Sequence, residues 1–341
     1  MRDDGLMILS GDDVAALLAG QEIGIAGIVS EAYVAHNNGK SSLPHSIFLR
    51  FPGDDTNRII ALPAFLGDRF DVAGMKWVSS FPGNVGRGMA RASAVLVLND
   101  CGTGRPEAVL EGSLISARRT AASAALGARV LLEGRDPGQV GLIGTGLINF
   151  EIARFLRALV GAGSFLLYDL DAARAGRFAA ELGQGLGVEA AVAGSFEEVQ
   201  RACAVLSFAT TAIRPHVHDL SACQPGATIL HISLRDLSAE AILACDNVVD
   251  DVDHVCRAQT SVHLAEQASG SRGFIRCTLA DILEGKAPAR RGDGSIAIFS
   301  PFGLGVLDVA VGRLVLDAAR AAGRGTRIPS FLPTYQGEFS A

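Results

Sequence analysis

The stretch Val140-Gly141-Leu142-Ile143 reads as a buried strand, and it runs directly into Gly144-Thr145-Gly146 and a helix that begins near Ile148. A turn of this kind binds phosphate for simple physical reasons. Gly144 permits a tight bend and Gly146 lets a pyrophosphate approach bare backbone, while the first helical residues, Leu147 and Ile148, present unpaired N–H groups and a favourable dipole. A lone G-x-G carries little weight, but a second strand over 164–168 ends in Asp169, at the spacing of an acid that binds a ribose. Both halves of a dinucleotide site are therefore expected, with Thr145 and, in a later loop, Thr210 counted among its residues. The acid favours NAD over NADP because it repels a 2′-phosphate, while Arg174 nearby keeps NADP open. Asn149 stands where such turns carry a third Gly or Ala, which implies looser helix packing or a side-chain hydrogen bond at the turn.

The elements that would hold these residues follow the same pattern. After Pro137, strands and helices alternate over 139–143, 150–159, 164–168, 172–182, 204–208 and 228–232, as in a doubly wound parallel α/β sheet of Rossmann type. Upstream the texture differs. Ser10 and Asp13 precede an apolar helical face of Val14, Leu17 and Leu18, so a helix follows a short strand. Short apolar runs at 47–51, 59–62, 75–78 and 95–98, broken by Pro and Gly, predict antiparallel sheet. An Ala-rich helix over 120–132, ending before Gly134 and Pro137, leads into the parallel sheet. The expected organisation is an α+β substrate-binding and dimerisation domain over 1–125, rejoined by 308–341, and an NAD-binding domain over 126–307.

Bulk properties narrow the function. The chain has 341 residues, enough for two cores of ordinary size. Its apolar runs are much shorter than the ~20 residues a bilayer-spanning helix needs, and the N-terminal aspartates Asp3, Asp4, Asp12 and Asp13 do not form a secretory leader. A cytoplasmic location is expected. The formal net charge is −6 and no long basic run is present, so nucleic acid is not an expected partner. Six scattered cysteines contain no C-x-x-C pair and read as reduced, mostly buried thiols. His216 and His218 lack an acidic or thiol partner at ligand spacing, and His254, after Asp250, Asp251 and Asp253, reads as part of a polar loop, so no metal is expected.

Three further stretches sharpen the reading: Met75-Lys76-Trp77-Val78-Ser79-Ser80-Phe81-Pro82-Gly83-Asn84, Thr103-Gly104-Arg105-Pro106 and Arg119-Thr120-Ala121-Ala122. These resemble the ornithine cyclodeaminase and mu-crystallin family, and the likeness extends from about Ser10 to Ala319, including 299–310 with Asp308. The resemblance implies a homodimer whose N-terminal domain holds the substrate and makes the subunit contact. It also implies a middle domain that holds a nicotinamide cofactor. A lysine, an arginine and an aspartate act in that family on an amino acid whose Cα–H passes as hydride to the cofactor, and the motif matches place them at Lys76, Arg119 and Asp236. Arg119 can clamp a carboxylate, Lys76 can bind its other oxygen or move a proton, and Asp236 can activate water against an imine. The plainer alternatives are surface charges at 76 and 119, and a helix cap at 236 ahead of Leu237-Ser238-Ala239-Glu240.

Departures from the cyclodeaminase pattern point away from an ornithine pocket. His231-Ile232-Ser233-Leu234-Arg235-Asp236 replaces an Asn- and Gly-rich segment, Leu147-Ile148-Asn149-Phe150 lacks the usual glutamine, and Pro44-His45, Arg50 and Arg91 are unusual. In these features the chain is similar to the branch that oxidises N-(2-amino-2-carboxyethyl)-L-glutamate, yielding L-2,3-diaminopropionate for siderophores and peptide antibiotics. That substrate carries three carboxylates, so His45, Arg50, Arg91 and Arg118 join Lys76 and Arg119 as candidate ligands. Alternative readings are a cyclodeaminase without net NADH, a ketimine reductase, and a protein that only binds cofactor. The retention of Lys76, Arg119 and Asp236 disfavours the last.

Overall fold

The computed structural model describes residues 5–292 and 294–333, so Asp3, Asp4 and 334–341 of the closing segment lie outside the described residues. Two compact units emerge. Among the described residues the first combines 5–20, 39–116 and 305–333, and the second 21–38 and 117–304 without 293.

The first unit opens with β1 (Leu6–Leu9) and α1 (Gly11–Leu18). Ser10 and Asp13 form the reciprocal cap that their spacing predicts: Asp13 N donates to Ser10 Oγ at 3.3 Å, and Ser10 N to Asp13 Oδ2 at 3.1 Å. The apolar runs become an antiparallel meander of β2 (Ser41–Ser42), β3 (Ile47–Phe51), β4 (Asp54–Leu66), β5 (Val72–Ser80), β6 (Ala92–Asn99) and β7 (Pro106–Glu111). β1 adds to β7 in parallel and β16 (Thr326–Ile328) closes the edge, pairings not expected from local pattern. One face of this sheet is covered by α11 (Gly305–Ala322), which packs on β4, β5 and β6.

In the second unit, α2 (Glu22–Asn37) accompanies the greater part of α3 (Gly112–Leu132). α3 starts eight residues before the Ala-rich stretch begins, because the Glu111 carboxylate accepts the amides of Ser113 at 2.7 Å and Leu114 at 3.0 Å. A carboxylate at the start of a helix suits the dipole, although Gly112 and Ser113 are weak helix formers. The remainder is a fully parallel sheet of β8 (Gln139–Ile143), β9 (Ser164–Tyr168), β10 (Glu189–Val192), β11 (Val205–Phe208), β12 (Thr228–His231), β13 (Asp246–Val249), β14 (Ile275–Thr278) and β15 (Ala297–Ser300). Between the strands run α4 (Leu147–Val160), α5 (Ala172–Leu186), α6 (Phe196–Ala202), α7 (Ala239–Leu243), α8 (Val252–Val255), α9 (Ser261–Ser269) and α10 (Leu279–Leu283).

The strand order β10-β9-β8-β11-β12-β15-β13-β14 makes the chain run one way from β8 and return past it to β11. The crevice beyond the C-terminal ends of β8 and β11 is thus the switch point at which doubly wound sheets take ligands. Among the described residues no single helix is long and apolar enough to cross a membrane, and α1 and α2 meet that test only jointly across a 94° bend.

Candidate active site

At the switch point Gly144 has φ 90°, and a Cβ there would stand 2.7 Å from the Ala209 carbonyl oxygen. Only glycine fits this backbone. Gly146 is the N-cap of α4 with no side chain capping it, so the first-turn amides of a 14-residue helix face outward. Asn149 settles the earlier alternative in favour of a hydrogen bond. Its amide nitrogen donates to the carbonyls of Ile143 at 3.0 Å and Gly144 at 2.7 Å, and its oxygen accepts from Ser207 at 2.8 Å.

Asp169 also braces the turn. Its Oδ2 accepts from Thr145 N at 2.9 Å and Thr145 Oγ1 at 2.7 Å, and Oδ1 from Asp171 N at 3.1 Å. Burial pushes its carboxyl up, but the Thr145 hydroxyl and the Asp171 and Thr145 amides outweigh this and hold it below the usual range. Arg174 Nε donates to Thr145 O at 3.1 Å, so the cation next to the ribose acid is tied to the turn. Glycine backbone, open helix start and ionised acid together fit a nicotinamide dinucleotide.

The adjoining strands carry a buried polar cluster. Asp236, fully buried after β12, accepts hydrogen bonds from the hydroxyls of Thr210, which follows β11, and of Ser233. Its backbone carbonyl accepts from His216 N and Val217 N at 2.9 Å each, fixing the loop. His231 Nε2 lies 3.4 Å from Asp236 Oδ2 and its Nδ1 3.3 Å from Ser300 Oγ. Burial acts to raise the Asp236 carboxyl, yet His231, Ser233 and Thr210 hold it below the ordinary range. The capping alternative does not hold: Ser238 caps α7, its hydroxyl accepting from Ala241 N at 3.2 Å. Thr210 sits at both features, since its Cα would be 3.3 Å from a Cβ at Gly144.

Arg119, 6% exposed on α3, packs against the turn after β15, where Gly303 has φ 90° and a Cβ would fall 2.7 Å from Nη1. Asp250, at the end of β13, shapes that turn by accepting from Phe302 N and Gly303 N, both at 2.8 Å. Burial pushes the Asp250 carboxyl up to about 6 against those two amides. The sequence named Asp250 only as part of an acidic run. Arg118 is paired with Glu22 at 3.2 Å and Glu151 at 2.8 Å inside the second unit.

In the first unit Lys76, 3% exposed on β5, places Nζ 2.8 Å from Asp308 Oδ2 on α11 and 2.9 Å from Ser116 Oγ. Strand alternation puts Lys76 on the face under α11 and Trp77 on the other. Arg50 shares a cross-strand row with Arg58, Ser80 and Ala92 on the Lys76 face, four residues along β5 from Lys76, or roughly 13 Å. Arg50 is exposed, 5.8 Å over the Phe48 ring. Arg91 immediately precedes β6, its carbonyl accepting from Phe81 N at 2.8 Å; it is half-buried, with Nε buried and without a hydrogen-bond partner, and burial lowers its pKa. His45 is exposed in the loop between β2 and β3. The sequence missed Arg58, whose pairing with Arg50 depends on register. Lys76 itself is thus separated from the arginine row.

Among the described residues no group of three or more His, Cys, Asp or Glu side chains is arranged to hold a metal ion. His254 lies on α8 rather than in a loop, its Nδ1 2.9 Å from Asp251, which also contacts His36 at 3.1 Å.

The sequence profile of the Ornithine cyclodeaminase/mu-crystallin family matches residues 6–323. An alanine dehydrogenase of Archaeoglobus fulgidus is 28% identical over 337 residues, covering 95% of this chain and 98% of its own. The N-((2S)-2-amino-2-carboxyethyl)-L-glutamate dehydrogenase of Staphylococcus aureus is 29% identical over 314 residues, 88% of this chain and 91% of its own. Among solved structures, the Delta(1)-pyrroline-2-carboxylate reductase of Thermococcus litoralis in complex with NADH and L-proline superposes with a TM-score of 0.88 at 26% identity, covering 94% of this chain and 100% of that one.

Proposed function

The chain belongs to the ornithine cyclodeaminase/mu-crystallin family, and from that premise we propose that it oxidatively cleaves N-(2-amino-2-carboxyethyl)-L-glutamate to 2-oxoglutarate and L-2,3-diaminopropionate. It is an NAD-dependent oxidoreductase acting on an amino-acid C–N bond. The observation that carries the substrate choice is the cationic row on the Lys76 face. Arg50 stands directly opposite Arg58. A polycarboxylate complements this pair of guanidinium groups. The cationic side chain of ornithine would be repelled there, and alanine or proline brings a single carboxylate.

Gly144, Thr145, Gly146, Leu147, Ile148, Asp169 and Thr210 would hold the dinucleotide, the pyrophosphate on the α4 amides and the ribose against Asp169. NAD supplies the hydride acceptor for the glutamate Cα–H. Arg119 clamps the α-carboxylate, held against the Gly303 turn so that its fork keeps one orientation. Lys76, paired with Asp308, binds a further carboxylate oxygen. Asp236, ionised in its cluster, takes a proton from water as that water attacks the imine carbon. The adduct's other carboxylates go to Arg50, Arg91 and His45. The diaminopropionate formed is a building block of the kind used in siderophores and peptide antibiotics. A homodimer fits the opposite sheet face, where Ile47, Trp77 and Val95 lie in one row with exposures of 65%, 39% and 42%.

Initial rates of NADH formation should be compared for the adduct, L-alanine, L-ornithine and L-proline. The reading predicts the highest kcat/KM for the adduct, by at least tenfold. L-alanine as the best substrate would overturn it.

A further inference from the structure

His231 is fully buried at the C-terminal end of β12. On one side β11 sets the Phe208 ring edge-on at 6.3 Å, and on the other β15 places Ser300 Oγ 3.3 Å from Nδ1. On a third side Nε2 meets Asp236 twice, at 3.3 Å from its backbone amide and 3.4 Å from Oδ2. Those two contacts need opposite proton states. The amide requires a lone pair on Nε2, whereas the carboxylate requires an N–H there. A single proton moving onto Nε2 therefore exchanges one contact for the other and leaves the Ser300 contact unchanged. The ionisable group that faces the ring in these contacts is Asp236, since β11 and β15 present an aromatic ring and a hydroxyl.

We propose that His231 is a positioning residue that takes up the proton Asp236 removes from water and returns it to the leaving nitrogen. The inference rests on the reading of Asp236 as the base in imine hydrolysis. An ionised carboxylate held by three partners is a weak base, and an imidazole behind it makes proton removal easier. In the first step a water O–H bond breaks, its proton reaches Asp236 and passes from Oδ2 to Nε2, and the hydroxide oxygen bonds to the imine carbon. The C=N electron pair moves onto nitrogen, which receives the stored proton. In the second step the carbinol O–H proton follows the same route as the C–N bond breaks. Both protons of the water thus end on the diaminopropionate amine, and the pair returns to its starting state.

Two measurements test this. The first needs no substrate: imidazole ¹⁵N spectra of histidine-labelled, NAD-loaded protein, with His231→Gln used to assign the signal. The Nε2 resonance should move in Asp236→Asn, and an unmoved resonance would show that the two groups do not share a proton. The second is the pH profile of kcat/KM on the adduct. Loss of His231 removes part of what holds Asp236 ionised, so His231→Gln should shift the acid limb to higher pH by about one unit, at unchanged NAD affinity. Ser300→Ala, which frees Nδ1, should shift it less in the same direction and serves if His231→Gln does not fold. A uniformly lower rate with an unmoved limb would mark His231 as packing only. Full turnover in Asp236→Asn would instead remove the base reading itself.

Discussion

The Lys76 ammonium lies 2.8 Å from the Asp308 carboxylate, with both side chains almost wholly buried between β5 and α11 of the first unit. Removing one partner of such a pair strands a charge in the interior, typically at about 3–5 kcal/mol. Asp308→Leu should therefore be destabilised by that amount in chemical unfolding. Lys76→Met/Asp308→Leu should recover much of the loss, because neither charge remains to be desolvated. A single variant as stable as the parent would show that the pair is solvated.

The glycine turn makes a second prediction. A side chain at Gly146 would project where the α4 amides open, with only the Arg174 guanidinium within 4 Å, so Gly146→Val should fold normally. It should lose NAD binding by at least about 100-fold, or ~2.7 kcal/mol, in a fluorescence titration. Asp169→Ala should lose affinity as well, because Asp169 braces Thr145 through two hydrogen bonds. If NADP supported equal turnover in the parent, Asp169 would not be reading the ribose, and the tethered Arg174 would be the residue to change.

Asp250 predicts a pH dependence of stability. Its folded pKa of about 6 is raised above the ordinary 3.8 by burial. A raised carboxyl contributes stability that is fully present below the unfolded pKa and is lost as pH rises through the folded one. Relative to Asp250→Asn, the parent should thus lose on the order of 3 kcal/mol between about pH 4 and pH 7. Unfolding midpoints of both proteins across that window check this. A difference that stays flat with pH would mean that Asp250 titrates normally.

Arg119→Lys should fail mainly in KM, since an ammonium cannot reproduce the two parallel hydrogen bonds of a guanidinium fork. A change confined to kcat would place Arg119 in the chemical step instead.

The parts of the site that were legible in the sequence are those built from neighbours along the chain. Gly144, Gly146 and Asp169 announce themselves because strand, turn and second strand follow within some 30 residues, and the Ser10 cap because its two halves are three residues apart. The cluster around Asp236 could not be assembled that way. Thr210, Ser233, His231 and Ser300 come from the ends of three strands and a loop, and only the parallel register of β11, β12 and β15 brings them together. β10, β13 and β14 are as short as β11 and β12, but Glu189, Asp246, Asn247 and Arg276 interrupt their apolar residues, so they left little trace. Arg118 gives no sign in sequence of the two carboxylates, Glu22 and Glu151, with which it pairs, because both lie far from it along the chain.

Product stoichiometry on N-(2-amino-2-carboxyethyl)-L-glutamate with NAD, followed by NADH absorbance and proton NMR, tests the oxidative cleavage most directly. NADH, 2-oxoglutarate and L-2,3-diaminopropionate should form in equal amounts, with Asp236→Asn lowering turnover by about 100-fold or more. Turnover of L-ornithine to a cyclic product without net NADH, or no oxidation of the adduct, would contradict it.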